Sequence, residues 1–426
     1  AGREAAATEV VRGWLESTGP ETAAALVSRF ALSANLVKSA LVRLEGEGQI
    51  LRGQFTSARD NHVGAEWCNR RVLARIHRLT LGWLRREIEP VTPADFVRFL
   101  YRWQHLAPGT TLHGSDGLLQ ILRQLQGYEI SGASLERDVL SRRMTKYDPD
   151  MLDRLCLSGE VMWGRLSPHP AFESPASLRT VGVQDGEAGS DMQSVRQRRV
   201  RPTRVAPVTV FLRVDATWLL ACSGRKATDA EAAALSHPAR EVLDALVQRG
   251  ASFLHDLVRA TGRLPSEVED GLWELVAAGL ISADGYDNLR ALVDPKRRRG
   301  EGRGRRARPR HAAGRWALLD ETQTEDGEAS GRRDRAVGRF AEQLLARWGV
   351  VFRDLMARET LAPPWRELLG VLRRMEACGD IRGGRFVSGC GGEQFARPEA
   401  VEMLRVVRRD GPLSLPVTVA AADPMN

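Results

Sequence analysis

Nothing in the 426-residue chain reaches the length of apolar sequence a membrane helix needs, roughly 18 residues. The first residues, AGREAAATEV, lack a basic stretch followed by an apolar core, so no secretory leader is read there. The chain does not begin with Met, which reads as a piece of a longer protein. Cysteine is scarce: Cys68, Cys156, Cys222, Cys378 and Cys390 are scattered, odd in number and never spaced C-x-x-C. That excludes a disulfide scaffold and a zinc ribbon and points to a reduced, cytoplasmic setting. With no ligand set for zinc, neither a metal nor a cofactor is expected in this stretch. There is no G-x-x-x-x-G-K-[ST], no G-x-S-x-G, no H-E-x-x-H and no kinase motif set. The eight histidines do not cluster, and His77 sits among arginines as a surface residue.

What is present is positive charge in one place. The net charge is +8, and Lys296–Arg310 (KRRRGEGRGRRARPR) holds nine basic residues against one acid. The rest of the chain therefore balances to zero. Gly and Pro punctuate this segment and no apolar period runs through it, so it reads as a disordered tail able to meet phosphate without reading sequence, or as a solubilising loop. Any specific nucleic-acid surface must then be a local patch.

A second feature recurs. Leu41–Ile50, Leu152–Val161, Leu272–Ile281 and Leu372–Ile381 share one skeleton: Leu, two residues, Leu or Met, three residues, Gly, one residue, Ile or Val. Two apolar residues three apart share a helix face, Gly stops the helix, and a β-branched residue starts a strand. Four copies argue for tandem helix–turn–helix–strand units, the order of a winged helix. The fold class expected is mainly α with small β, a tandem winged-helix array plus a small β-barrel or sheet module. The expected boundaries are 1–60 (first winged helix), 61–108 (Arg-rich helical segment), 109–165 (second), 166–235 (linker and β-strand module), 236–291 (third), 292–330 (disordered charged loop), 331–410 (fourth) and 411–426 (start of a C-terminal β module). Val208–Val214 alternates as a half-buried strand, and Leu415–Ala420 reads as another.

The third helices differ in charge. The first unit offers Lys38 and Arg43, and the fourth offers Arg366, Arg373 and Arg374. The second carries Asp148, Asp150 and Asp153, and the third Glu267, Glu269, Asp270 and Glu274, which phosphate repels; these read as scaffold. Trp67–Arg86 reads as one long helix with Val72, Leu73, Ile76, Leu79, Leu81 and Leu84 inward and Arg70, Arg71, Arg75, Arg78, Arg85 and Arg86 outward. Such arginines suit phosphate or an acidic protein surface.

The stretch WCNRRVLARIHRLTLGWLRREIEPVTPADFVRFLYRWQHL, with LQGYE, MLDRLCLSGEVMWGRL, GRFVSGCGGEQFARPEAVEMLR and the terminal ADPMN, resembles the bacterial large helicase-related (Lhr) proteins of helicase superfamily two. The matched phrases fall in the region C-terminal to that family's motors. The resemblance implies winged helices with a β-barrel, tetrameric assembly, and attachment to a DNA translocase linked to repair, with the family chain continuing past the last phrase. Partners implied are single-stranded DNA, the helicase's own motor domains and further copies of the chain, with no membrane. Gln124–Arg165 is also similar to winged-helix DNA glycosylases that excise alkylated bases. That family's Q-φ-Q, Arg, Tyr, Leu-Asp order falls here on Gln124-Leu125-Gln126, Arg143, Tyr147 and Leu152-Asp153. In that reading Gln124 and Gln126 position a water, Glu129 or Asp423 serves as general base, and Arg143 contacts nucleic acid. On the residues alone, QLQ is equally a helix end and Asp423 a turn before Pro424. Three readings stand: an accessory nucleic-acid-binding region of a helicase, a base-excising glycosylase, and a structural oligomerisation module.

Overall fold

In the computed structural model the described residues are 2–56, 64–86, 88–167, 169, 206–223, 235–293, 314–319, 329–412 and 415–426. They form two compact units, Ala1–Glu89 and Pro90–Asn426.

The first unit is a winged helix. Helix α1 (Gly2–Ser17) leads to strand β1 (Glu21–Thr22), then α2 (Ala23–Phe30) and α3 (Ala34–Gly46), then wing strands β2 (Ile50–Gly53) and β3 (Glu66–Asn69). Thr22 and Ser33 cap α2 and α3 by accepting from Ala25 N–H and Leu36 N–H, contacts worth about 1 kcal/mol each. Val11, Leu15, Leu26, Val37, Leu41 and Leu44 form its core. The sheet is antiparallel in the order β1-β3-β2, with Ile50 opposite Asn69. Helix α4 (Arg70–Arg86) follows β3 directly.

The second unit holds three more copies of this plan. Helix α5 (Pro93–Trp103) opens it, held by a Thr92–Asp95 capping box with Pro93 in the first turn. The next winged helix runs through α6 (Gly114–Leu125), β4 (Ile130–Ser131), a helical segment to Arg143 that takes a π-turn over Leu135–Leu140, α7 (Pro149–Leu157), β5 (Val161–Gly164) and β6 (Pro207–Leu212). Helix α8 (Ala216–Cys222) follows. The third copy has α9 (His237–Arg249), α10 (Leu254–Thr261), α11 (Pro265–Ala277), β7 (Ile281–Ala283), α12 (Asp287–Val293) and β8 (Trp316–Leu318). The fourth has α13 (Ala329–Trp348), β9 (Val350–Val351), a 3-10 turn at Arg353–Arg358, α14 (Trp365–Cys378), β10 (Arg382–Gly384), β11 (Gln394–Ala396) and α15 (Pro398–Asp410). Strand orders β4-β6-β5 and β10-β11-β9 repeat that of the first unit, and β7-β8 completes the pattern through the Ser252–Trp316 bridge.

The recurrent phrase has one structural cause. Its glycines, Gly48, Gly159, Gly279 and Gly379, all lie at φ between +68° and +88°. Each reverses the chain out of the third helix in the left-handed conformation that costs glycine least.

Several expectations change. The sheets are small and open, and no closed barrel occurs among the described residues. The strand near Val208 is no separate module: β6 is the middle strand of the second winged helix, opposite Ile130 on one side and Val161–Gly164 on the other. It is buried on both faces from Val208 to Leu212, so Thr209 and Phe211 are as enclosed as Val208 and Val210, and Val214 lies outside it, exposed. The linker part of 166–235 falls between the two wing strands, and within it 168 and 170–205 lie outside the described residues. The basic loop Lys296–Arg310 lies outside them too. Trp67 begins no helix, because Glu66–Asn69 pairs with Ile50–Gly53 first. The 61–108 segment is divided between the units. Leu415–Ala420 forms no strand, and the chain there is irregular.

Candidate functional site

The second and third winged helices share an apolar core in which Trp163, Trp273 and Trp316 meet edge to face. The contact between the second and fourth is different: it is a buried polar seam. Its centre is Arg347 on α13, whose side chain is fully buried against that of Glu359. Arg347 Nη1 donates to Glu359 Oε1 at 2.5 Å, and its other nitrogens donate to the carbonyls of Gln124 and Gln126. Trp348 Nε1 donates to the same Glu359 oxygen at 2.6 Å. A buried pair held by this many hydrogen bonds offsets its desolvation; losing one partner leaves an uncompensated charge.

The candidate residues cluster around this pair. Gln126 donates to Asp215 Oδ2 (2.9 Å) and Gln343 Oε1 (3.1 Å) and accepts from Leu212 N–H (3.2 Å). Burial would raise the Asp215 carboxyl, but hydrogen bonds from Trp218, Gln126 and Arg339 outweigh it and hold the group below the usual carboxylate range. Gln124 donates to the Trp103 and Ala346 carbonyls. Its Oε1 is buried without a hydrogen-bond partner among the described residues. Gln104 bridges outward, donating to the Arg347 carbonyl at 3.0 Å and accepting from Arg143 Nη2 at 3.0 Å. Arg143 then forks onto Asp423, Nη1 to Oδ2 at 2.6 Å and Nη2 to Oδ1 at 2.9 Å. One network thus connects Gln124, Gln126, Arg143 and Asp423, although 280 residues separate the last two.

Two groups beside the network escaped the sequence reading. His105 lies at φ +60°, its ring bonded to the Thr110 carbonyl; burial and, less strongly, the nearby Arg143 cation lower its pKa. Tyr128 faces Arg347 at 5.4 Å, and burial, then Glu359, raise its phenol. Tyr128 lies in LQGYE and His105 near the end of the long phrase that closes in QHL, but neither phrase assigned them a role, and the fold brings them to the network.

Chemistry at the network is constrained. Arg143 has 0% and Asp423 1% of its side-chain surface exposed. Arg143 was expected to contact nucleic acid; buried against Asp423, it presents nothing to a phosphate in this conformation. Asp423 is likewise held by both oxygens. Glu129 stands apart from the network. Its carboxylate accepts from Leu166 N–H (2.7 Å), Ser167 N–H (2.9 Å) and the Ser167 hydroxyl, closing the turn after β5. Glu66 does the same in the first unit, accepting from Phe55 N–H, Thr56 N–H and the Thr56 hydroxyl after β2. Glu129 is therefore a repeated structural staple at the root of a wing, not a free general base.

The basic candidates are outside. In the first unit Lys38 is exposed with no ion pair among the described residues, while Arg43 is bonded to Glu47 at 3.0 Å. Arg70, Arg71, Arg75 and Arg78 are all exposed on α4, and no ion pair engages them among the described residues. In the second unit Arg366 and Arg374 are exposed on α14, and Arg382 and Arg385 on the wing beside it, again with no ion pair among the described residues. Arg373 is bonded to Glu393 at 2.5 Å. Helix α11 is buried continuously from Gly271 to its end at Ala277, Glu274 included, while Glu267, Glu269 and Asp270 in its first half are half-buried.

Among the described residues four winged helices, each with a left-handed glycine after its third helix, define a tandem winged-helix protein. Residues 330–414 and 91–176 each match a family model described as "Large helicase-related protein, winged-helix domain". The chain is 29% identical over 435 aligned residues to a Mycolicibacterium smegmatis protein named "Lhr helicase/ probable uracil glycosylase", covering 98% of this chain and 26% of that protein. It is 25% identical to the Escherichia coli "Lhr helicase/uracil glycosylase", covering 95% of this chain and 26% of that protein. The chain thus spans about a quarter of the length of the curated relatives it matches. The resemblance to the large helicase-related family therefore holds along nearly the whole chain and is consistent with a C-terminal region of an Lhr helicase. No described helix is long and apolar enough to cross a membrane.

Proposed function

We propose that this chain is a non-motor region of an Lhr-type DNA helicase that binds single-stranded DNA for the motors during repair, in a homo-oligomeric, tetrameric assembly in the cytoplasm. The observation that carries the DNA-binding reading is the set Arg366, Arg374, Arg382 and Arg385. Four exposed cations on the third helix and wing of one unit, none ion-paired among the described residues, form the surface that a winged helix turns to a phosphate backbone. Replacing Arg366 and Arg374 with Ala should weaken binding to all sequences alike and flatten its salt dependence. Unchanged affinity and slope would remove this surface from the proposal.

A second reading, uracil excision, is supported by the names of the two relatives and by Gln124, whose buried Oε1 lacks a partner where a water must be held. In that chemistry water attacks C1′ of the deoxyribose, and the base leaves with the bonding electrons and takes up a proton. Abasic sites in uracil-containing DNA treated with the chain, lost in Gln124→Ala, support it; no abasic sites refute it. Light scattering tests assembly, since a strict monomer contradicts the oligomer.

A further inference from the structure

Helix α4 departs from its expected amphipathic burial. Its apolar row is not covered: Ile76 is 38%, Leu79 59% and Trp83 56% exposed. These residues are spaced i, i+3, i+7 and therefore share one face. Arg71, Arg75 and Arg78, at i, i+4 and i+7, form the neighbouring row. No Asp or Glu occurs anywhere in the 17 residues of Arg70–Arg86.

The occupant of such a face has to suit both rows. A second copy of α4 does not, because packing like on like would set arginine against arginine with no carboxylate on the helix to neutralise it. Duplex DNA satisfies the arginines and leaves the indole unused, since its bases are stacked on one another. A single strand satisfies both, because phosphates meet the cations while an unstacked base lies on the exposed ring. The arginine row rises about 6 Å from Arg71 to Arg75 and about 5 Å more to Arg78 at the helical rise per residue, so it can follow an extended backbone past Trp83.

We infer that α4 is a single-strand platform on which Trp83 stacks a nucleotide base while Arg71, Arg75 and Arg78 hold the adjoining phosphates. The inference rests on the nucleic-acid-binding reading and supplies its preference for single strands. It adds a second, independent contact to the α14 wing surface, on the other compact unit.

The test uses the full chain, a fluorescently labelled oligo-dT and a labelled duplex of equal length, with anisotropy titrations at several salt concentrations. Trp83→Ala should weaken oligo-dT binding about tenfold, from the loss of one base stack, with the salt slope and duplex affinity unchanged. Trp83→Phe should recover most of the loss. Arg75→Ala with Arg78→Ala should lower the slope by about 1.4, at roughly 0.7 per single-strand phosphate. Circular dichroism melts establish that each variant folds. Wild-type-like oligo-dT binding by Trp83→Ala overturns the inference while leaving the nucleic-acid-binding reading intact. So does a changed oligomeric state in Trp83→Ala with binding unaltered, which marks a protein-docking face. No binding of either oligonucleotide by the unaltered chain at low salt overturns both.

Discussion

Removing Asp423 tests the polar seam where the structure is most demanding. The Asp423→Ala change deletes the partner of a guanidinium that has no exposed surface and whose Nη atoms both donate to the lost carboxylate. What remains for Arg143 is Gln104 Oε1, the Val139 carbonyl at 3.2 Å, and an Nε already without a partner among the described residues. Breaking a buried pair from one side costs about 3–5 kcal/mol because the surviving charge is uncompensated. The same change loosens the last residues, since Asp423 Oδ1 also accepts from Met425 N–H, leaving Arg358 to tie the turn back through the Pro424 and Asn426 carbonyls. Urea denaturation followed by tryptophan fluorescence measures the loss in the second unit, and hydrogen exchange of residues 415–426 measures the release. Arg143→Met with Asp423→Leu removes both charges and should lie within about 1 kcal/mol of the parent chain. An Asp423→Ala cost below about 1 kcal/mol, with the terminal amides still protected, would refute the seam as drawn. The experiment also sets how enzymology is read: loss of base excision in Asp423→Ala reports a base only if fold and terminal segment stay intact.

Other expectations follow from single contacts. Glu129→Ala should cost about 1–3 kcal/mol, because two backbone N–H groups lose their acceptor, and Glu66→Ala should cost a similar amount in the first unit; thermal melts decide it. Gly349→Ala should destabilise by about 2–5 kcal/mol, combining left-handed strain with overpacking, since Gly349 sits at φ +67° and a Cβ would lie 2.5 Å from Phe99 Cζ. Asp215 titrates below the usual carboxylate range in the fold, so its stabilisation is complete at neutral pH and is lost as pH falls through its folded value. Asp215→Asn should therefore be less stable at pH 7 and lose less on acidification, which pH-dependent denaturation measures.

The repeated phrase was readable because it is local: an i, i+3 apolar pair, a helix-ending glycine and a strand start lie within ten residues, and all four copies adopt that form. The Thr92 cap with Pro93 was readable for the same reason. The wings were not, because β5 and β6 are separated by more than 40 residues, so a strand buried on both faces looked like an isolated half-buried one. Helix α4 shows the opposite failure, since its apolar period is real but the exposed row covers no core. At the candidate site, Gln124, Gln126 and Arg143 were selected by motif order and Asp423 as a candidate base, and their joining in one network is a tertiary fact. Nor could sequence tell that Arg143 is spent on Asp423, or that Glu129 repeats the wing-root role of Glu66, because each depends on which backbone amides and charges the fold delivers.

The most direct test of the central proposal is the affinity of the whole chain for single-stranded DNA across a salt series. The account predicts binding at low salt that weakens linearly in log–log form, with a slope set by the arginines engaged. Absence of binding at low salt, or binding indifferent to salt, would contradict it.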